Sequence, residues 1–95
     1  MEPFSKYATI ETTVAAEAVN QDMGLSDKLY RGVRCVISTD LVVTVKLNNT
    51  SADSFTIATN DSVTIENLFI HEIFISNASL TTAANVKIFI VGKGL

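Results

Sequence analysis

The stretch Leu41-Val42-Val43-Thr44-Val45-Lys46-Leu47 decides the fold class. Leu41, Val43, Val45 and Leu47 fall on one side at a spacing of two, and Thr44 and Lys46 fall on the other, as in a strand with one face on a core and one in water. The same grammar runs on either side of it. Upstream, Val33, Cys35 and Ile37 alternate with Arg34, Val36 and Ser38. The short gap at Thr39-Asp40 predicts that these two strands form an antiparallel hairpin.

Working outward, 6–14 is rich in Thr and β-branched residues and suits an edge strand. Residues 15–23 have helix-forming composition but are short and end at Gly24, so an extended continuation or a single helical turn is expected. Residues 24–28 read as a loop. Beyond the polar loop 48–53 come the short runs 55–57 and 63–65, divided by Asn60-Asp61-Ser62. Residues 68–76 are apolar at both parities: Phe69, Ile73 and Ile75 share one, Ile70 and Phe74 the other. That pattern predicts either a central strand covered on both faces or a bulge that shifts its register. A Ser/Thr/Ala/Asn loop at 77–85 precedes the last strand, 86–91, where Val86, Ile88 and Ile90 oppose Lys87, Phe89 and Val91.

About seven or eight short strands without helical crossovers predict an all-β fold, a small antiparallel β-sandwich of jelly-roll or Greek-key type. The 95 residues form a single domain, 1–95, with 1–30 as an N-terminal arm or edge strand. The expected core is Val33, Cys35, Ile37, Leu41, Val43, Val45, Ile88 and Ile90. No repeat and no low-complexity linker supports a solenoid or propeller.

Composition narrows the function classes. The net charge is -3 and the seven basic residues are scattered, with Arg31 and Arg34 the nearest pair, so a nucleic-acid partner is not expected. No stretch approaches the roughly 20 apolar residues of a membrane helix, and Met1-Glu2-Pro3-Phe4-Ser5-Lys6 lacks the apolar core of a leader, so a soluble protein made in a cytosol is expected. The lone Cys35 reads as a core thiol.

No catalytic, metal or cofactor site is expected. His71 is the only histidine and has only Glu72 beside it, short of a metal set or a triad. Glu11 with Glu17, or Glu66 with Glu72, would serve glycoside hydrolysis only if the fold set the carboxylates about 5 to 9 Å apart. There is no Trp for a sugar platform, and Tyr7 and Tyr30 are far apart in sequence. Asp40, Asp53 and Asp61 sit where calcium ligands sit in some sandwiches, but Asp also favours turns through its own backbone hydrogen bonds. The sequons at Asn48, Asn49, Asn60 and Asn77 read as a by-product of Asn/Ser/Thr-rich loops. Apolar groups on both faces of 68–76 and 86–91 predict a homo-oligomer. Phe89 with Val91, or Ile70 with Phe74, are the pairs expected at the subunit contact.

The segments "RGVRCVISTDLVVTVKLNNTS", "DSFTIATNDSVTIENL" and "IHEIFISNASLTTAANVKIFIVGKG" carry a resemblance. The strand Ile70-His71-Glu72-Ile73-Phe74-Ile75-Ser76-Asn77, a Ser/Thr/Ala loop and a closing strand ending at Gly92 resemble the small β-sandwich structural proteins of tailed-bacteriophage virions. The resemblance covers 33–92 and is one of style; residues 1–30 have no counterpart in it. It implies a non-enzymatic protein that decorates or stabilises a capsid or tail. Such a protein is typically a symmetric homotrimer in contact with other virion proteins, made in the host cytoplasm and carried in the virion. The alternative is a ligand-binding module, an adhesin or carbohydrate-binding sandwich using 48–53 and 77–85.

Overall fold

The computed structural model describes residues 6–27 and 31–93. Residues 28–30, which include the end of the expected loop 24–28, lie outside the described residues, as do 1–5 and 94–95. Eight strands follow one another: β1 (Lys6–Val14), β2 (Gln21–Asp22), β3 (Arg31–Thr39), β4 (Val43–Leu47), β5 (Phe55–Ile57), β6 (Asp61–Ile70), β7 (Ile73–Ser76) and β8 (Ala84–Lys93). They form two four-stranded sheets, β1-β8-β3-β6 and β2-β7-β4-β5, antiparallel at every pairing. Of the connections, only β4 to β5 joins hydrogen-bonded neighbours; each of the others passes from one sheet to the other. This eight-stranded order is that of a jelly roll.

That order corrects two expectations. β3 and β4 do not form a hairpin: β3 lies between β8 and β6, while β4 lies between β7 and β5. The chain turns a corner between the sheets at residues 40–42. There the Thr39 hydroxyl donates to the Leu41 carbonyl at 2.6 Å, and the Asp40 carboxylate accepts from the Asn85 N–H at 2.7 Å. Nor is 68–76 a single strand. β6 ends at Ile70 in one sheet and β7 begins at Ile73 in the other. Both parities are apolar because the chain changes sheets between them, so that Ile70, Ile73 and Ile75 all reach the one core between the sheets.

The inner faces fill that core as alternation requires. Ile10 and Val14 of β1, Cys35 and Ile37 of β3, and Val86, Ile88 and Ile90 of β8 meet Val43 and Val45 of β4, Ile57 of β5, and Ile73 and Ile75 of β7. Met23, at the end of 15–23, and Leu25, from the segment read as a loop, are also buried, with Leu25 in a short 3-10 turn, Leu25–Asp27. Leu41 is half-buried against this cluster rather than inside it. Val33 leaves the core altogether, because the β3 register shifts between Gly32 and Arg34 and Val33 sits in the bulge. The shift lies beside a tight spot: a Cβ at Gly32 would overlap the Ile90 side chain, so the strand needs glycine there.

Asparagine builds many of the turns. Among the described residues, four of the five non-glycine residues at positive φ are Asn20, Asn48, Asn60 and Asn67, the side chain that best tolerates the left-handed region. The fifth is Glu17, at φ 62°.

Candidate functional site

Register places the outer face of the β1-β8-β3-β6 sheet residue by residue. Tyr7 faces Val91 and Val91 faces Arg34; Thr9 faces Phe89 and Phe89 faces Val36; Glu11 faces Lys87 and Lys87 faces Ser38. The outer face therefore divides. Towards the ends of β1 and β8 that carry Lys6 and Lys93 it holds the apolar Tyr7, Phe89, Val91 and Val36, with Thr9, Thr64, Arg34 and Glu66 in the same rows. One row further along it is polar, with Lys87 3.6 Å from Glu11. Tyr7 and Phe89, 68% and 42% exposed, lie with ring centroids 5.7 Å apart in a tilted contact.

The apolar half runs into a groove of about 600 Å3 lined by Val33, Arg34, Glu66, Asn67, Leu68 and Phe69. Its origin is local. Between the Arg34↔Glu66 and Gly32↔Ile70 pairs, β3 has one residue and β6 has three, so 67–69 bulges outwards, with Asn67 at φ 61°. Leu68 and Phe69 are exposed on the bulge. Arg34 Nε donates to Glu66 Oε1 at 2.7 Å across the groove floor, an exposed pair that contributes little stability but fixes the two side chains.

The bulge is held from behind by Asn48. Its amide donates to the Phe69 carbonyl at 2.8 Å, and its Oδ1 accepts from the His71 and Glu72 N–H groups at 2.6 and 3.2 Å. One side chain thus satisfies the backbone where the chain leaves one sheet for the other. Asn48 is itself at φ 68°, and its N–H donates to the Glu72 carbonyl at 2.8 Å.

Phe89 and Val91 lie on the outer face as expected. Ile70 and Phe74 do not offer a second contact. Ile70 is 0% exposed in the core. Phe74 is 9% exposed, flanked by Lys46 and Asp22 and covered by its own chain. The sheet change between them is what separates the two, although they share a parity in sequence.

The titratable residues are engaged singly. Glu11 pairs with Lys87 and Glu66 with Arg34 rather than with a second carboxylate. His71 and Glu72 sit at the corner held by Asn48. Asp40 accepts from both the backbone N–H and the side-chain amide of Asn85, and those bonds hold its carboxyl below the usual value. Burial pushes the Cys35 thiol up to about 11, which leaves it neutral and unreactive. Among the described residues no group of three or more His, Cys, Asp or Glu could hold a metal ion, and no helix is long and apolar enough to cross a membrane. No protein family, curated protein or solved structure matches the chain.

Proposed function

We propose that the chain is a non-enzymatic structural protein of a phage particle, working as a symmetric homo-oligomer that decorates or stabilises the capsid or tail. The observation that carries the self-association is the outer face around Phe89. A 95-residue chain that buries Phe74 of the other sheet leaves Tyr7, Phe89 and Val91 together on this face, with Leu68 and Phe69 exposed on the bulge beyond the Arg34–Glu66 pair. Removing such a surface from water is favourable at roughly 25 cal/mol per Å2 of apolar area, which favours a protein partner. The preference for a trimer and for a virion comes from the resemblance of residues 33–92 to phage structural sandwiches. Jelly rolls build both viral capsid proteins and lectins, so the fold alone does not choose.

The carbohydrate-binding alternative is weaker on the side chains it needs. In the loops 48–53 and 77–85 the amides of Asn48 and Asn77 are spent internally. Asn77 donates to the Val14 and Thr82 carbonyls and accepts from the Ser79 N–H, so neither of these two amides is available to a sugar.

The test is mass spectrometry of gradient-purified particles from the organism that encodes the chain. The proposal expects the protein in the particle fraction at a copy number comparable with other structural components. Recovery only in the soluble fraction, beside intact particles, would refute it.

A further inference from the structure

We infer that the open edge of β1 pairs with β1 of a second copy across a two-fold axis, joining two β1-β8-β3-β6 sheets into one; the inference rests on the self-association proposed above and names a contact separate from the face around Phe89.

The direction of the β1 backbone groups follows from the far end of the strand. Asn85 turns both its backbone groups towards the end of β3: its N–H donates to the Asp40 carboxylate at 2.7 Å, and its carbonyl accepts from the Asp40 N–H at 3.2 Å. Thr13, opposite Asn85 in the ladder, therefore turns its own N–H and carbonyl away from β8. By alternation Tyr7, Thr9 and Glu11 do the same, and β1 is the outermost strand of its sheet. One end of this edge is closed. Gln21 Nε2 donates to the Thr13 carbonyl at 3.0 Å and Gln21 Oε1 accepts from the Ala15 N–H at 3.4 Å, so a side-chain amide stands where the peptide of a neighbouring strand would. Among the described residues nothing does this for Tyr7, Thr9 and Glu11.

The other edges are blunted. In β6 the Asp61 carboxylate accepts from the Ser62 N–H at 2.8 Å, and the strand bulges at 67–69. The edges of the second sheet, β2 and β5, are two and three residues long. β1 runs nine residues in unbroken register with no proline, the kind of edge that another strand extends.

One antiparallel register suits a second copy of β1. With Thr9 opposite Thr9 on the axis and Tyr7 opposite Glu11 on either side, every open N–H and carbonyl of these three residues is bonded. An axis normal to the sheet keeps the inner sides together and sets half-buried Ala8 against buried Ile10, so the apolar layers of the two copies meet. Sliding the partner by two residues puts Tyr7 against Thr13, whose carbonyl Gln21 already holds. Sliding it by four puts Glu11 against Glu11, a like-charge pair. The edge is one strand wide, less than a lasting contact buries on its own, so it closes between copies that the outer face has gathered, and Phe89→Lys stays monomeric. Each copy meets one other across an axis, so the assembly holds an even number of copies, and a ring of three is doubled.

Hydrogen exchange and cross-linking test this. The Ala8, Ile10 and Thr12 amides, bonded to β8, should be protected in every folded form. The Tyr7, Thr9 and Glu11 amides should exchange roughly tenfold or more slowly in the wild-type oligomer than in the Phe89→Lys monomer. Thr9→Cys should give a disulfide-linked dimer on oxidation, because residues facing each other in a bonded pair stand about 5.5 Å apart at Cα. Thr13→Cys, far from the axis, should not, and Cys35 is buried and does not compete. The inference is overturned if the Tyr7, Thr9 and Glu11 amides exchange freely in the oligomer, if Thr9→Cys cross-links no better than Thr13→Cys, or if the oligomer holds an odd number of copies; self-association then stands. A monomeric wild type overturns both.

Discussion

The two sheets treat the same residue differently. In β2-β7-β4-β5, Phe74 sits on the side of β7 away from the core, yet Lys46 and Asp22 flank it and only 9% of it is exposed. In β1-β8-β3-β6, Phe89 sits on the outward side of β8 and keeps 42% of its surface in water, with Tyr7 beside it. The first sheet is made of short strands of two to five residues, and its Lys46 Nζ is tied to the Thr50 carbonyl at 3.0 Å in the adjoining loop. The second has strands of nine and ten residues that present a broad face no loop covers. One sheet covers its outward phenylalanine with its own chain, and the other keeps Phe89 and Tyr7 in water, where the proposed subunit contact would lie.

The inner faces should not share this asymmetry. Val43→Asp in one sheet and Ile88→Asp in the other would each bury an unpaired carboxylate, and each should cost roughly 4 kcal/mol or more, enough to unfold a small domain. Chemical denaturation monitored by circular dichroism checks both. A folded Val43→Asp protein with unchanged melting would remove that strand from the core.

The outer phenylalanines should then separate. Phe74→Ala is expected to cost about 3 kcal/mol of stability, as for a buried side chain, whereas Phe89→Ala should cost about 1 kcal/mol or less in the monomer. Equal losses in denaturant titrations would erase the distinction between the sheets.

The corner that joins them offers a smaller effect. Asn48→Ala removes the bonds to Phe69, His71 and Glu72 and should cost about 2 kcal/mol. Hydrogen exchange should show the His71 and Glu72 amides losing protection first, and unchanged protection there would contradict the role given to Asn48.

The smallest effect concerns the other corner. Because Asn85 depresses the Asp40 pKa in the folded state, the contribution of Asp40 is present above the ordinary carboxylate value. It is lost as pH falls through the depressed folded value. Asp40→Asn should lower stability slightly at neutral pH, leave it unchanged in strong acid, and so flatten the acid limb of the stability profile. An identical acid limb would show that Asp40 does not contribute.

Much of this was legible in the chain where alternation is strict. The 41–47 and 86–91 patterns assign Val43, Val45, Ile88 and Ile90 to the core, and the Thr-rich composition of 6–14 assigns β1 to an edge. Pairing was not legible, because in a jelly roll almost every connection changes sheet, so nearness in sequence suggests a β3–β4 hairpin that the fold lacks. The doubled apolar pattern of 68–76 did mark something unusual. Its cause is the turn at His71-Glu72, specified by Asn48 more than twenty residues away. The groove was hidden for the same reason: unequal residue counts between β3 and β6 become visible only once the two strands are paired.

The central claim is that the outer face around Phe89 is a subunit contact, and sedimentation equilibrium of the wild type beside Phe89→Lys tests it most directly. The account predicts a wild-type oligomer at tens of micromolar and a Phe89→Lys monomer of about 10.3 kDa with nearly unchanged melting. A wild-type monomer, or a Phe89→Lys protein that assembles to the wild-type mass, would contradict it.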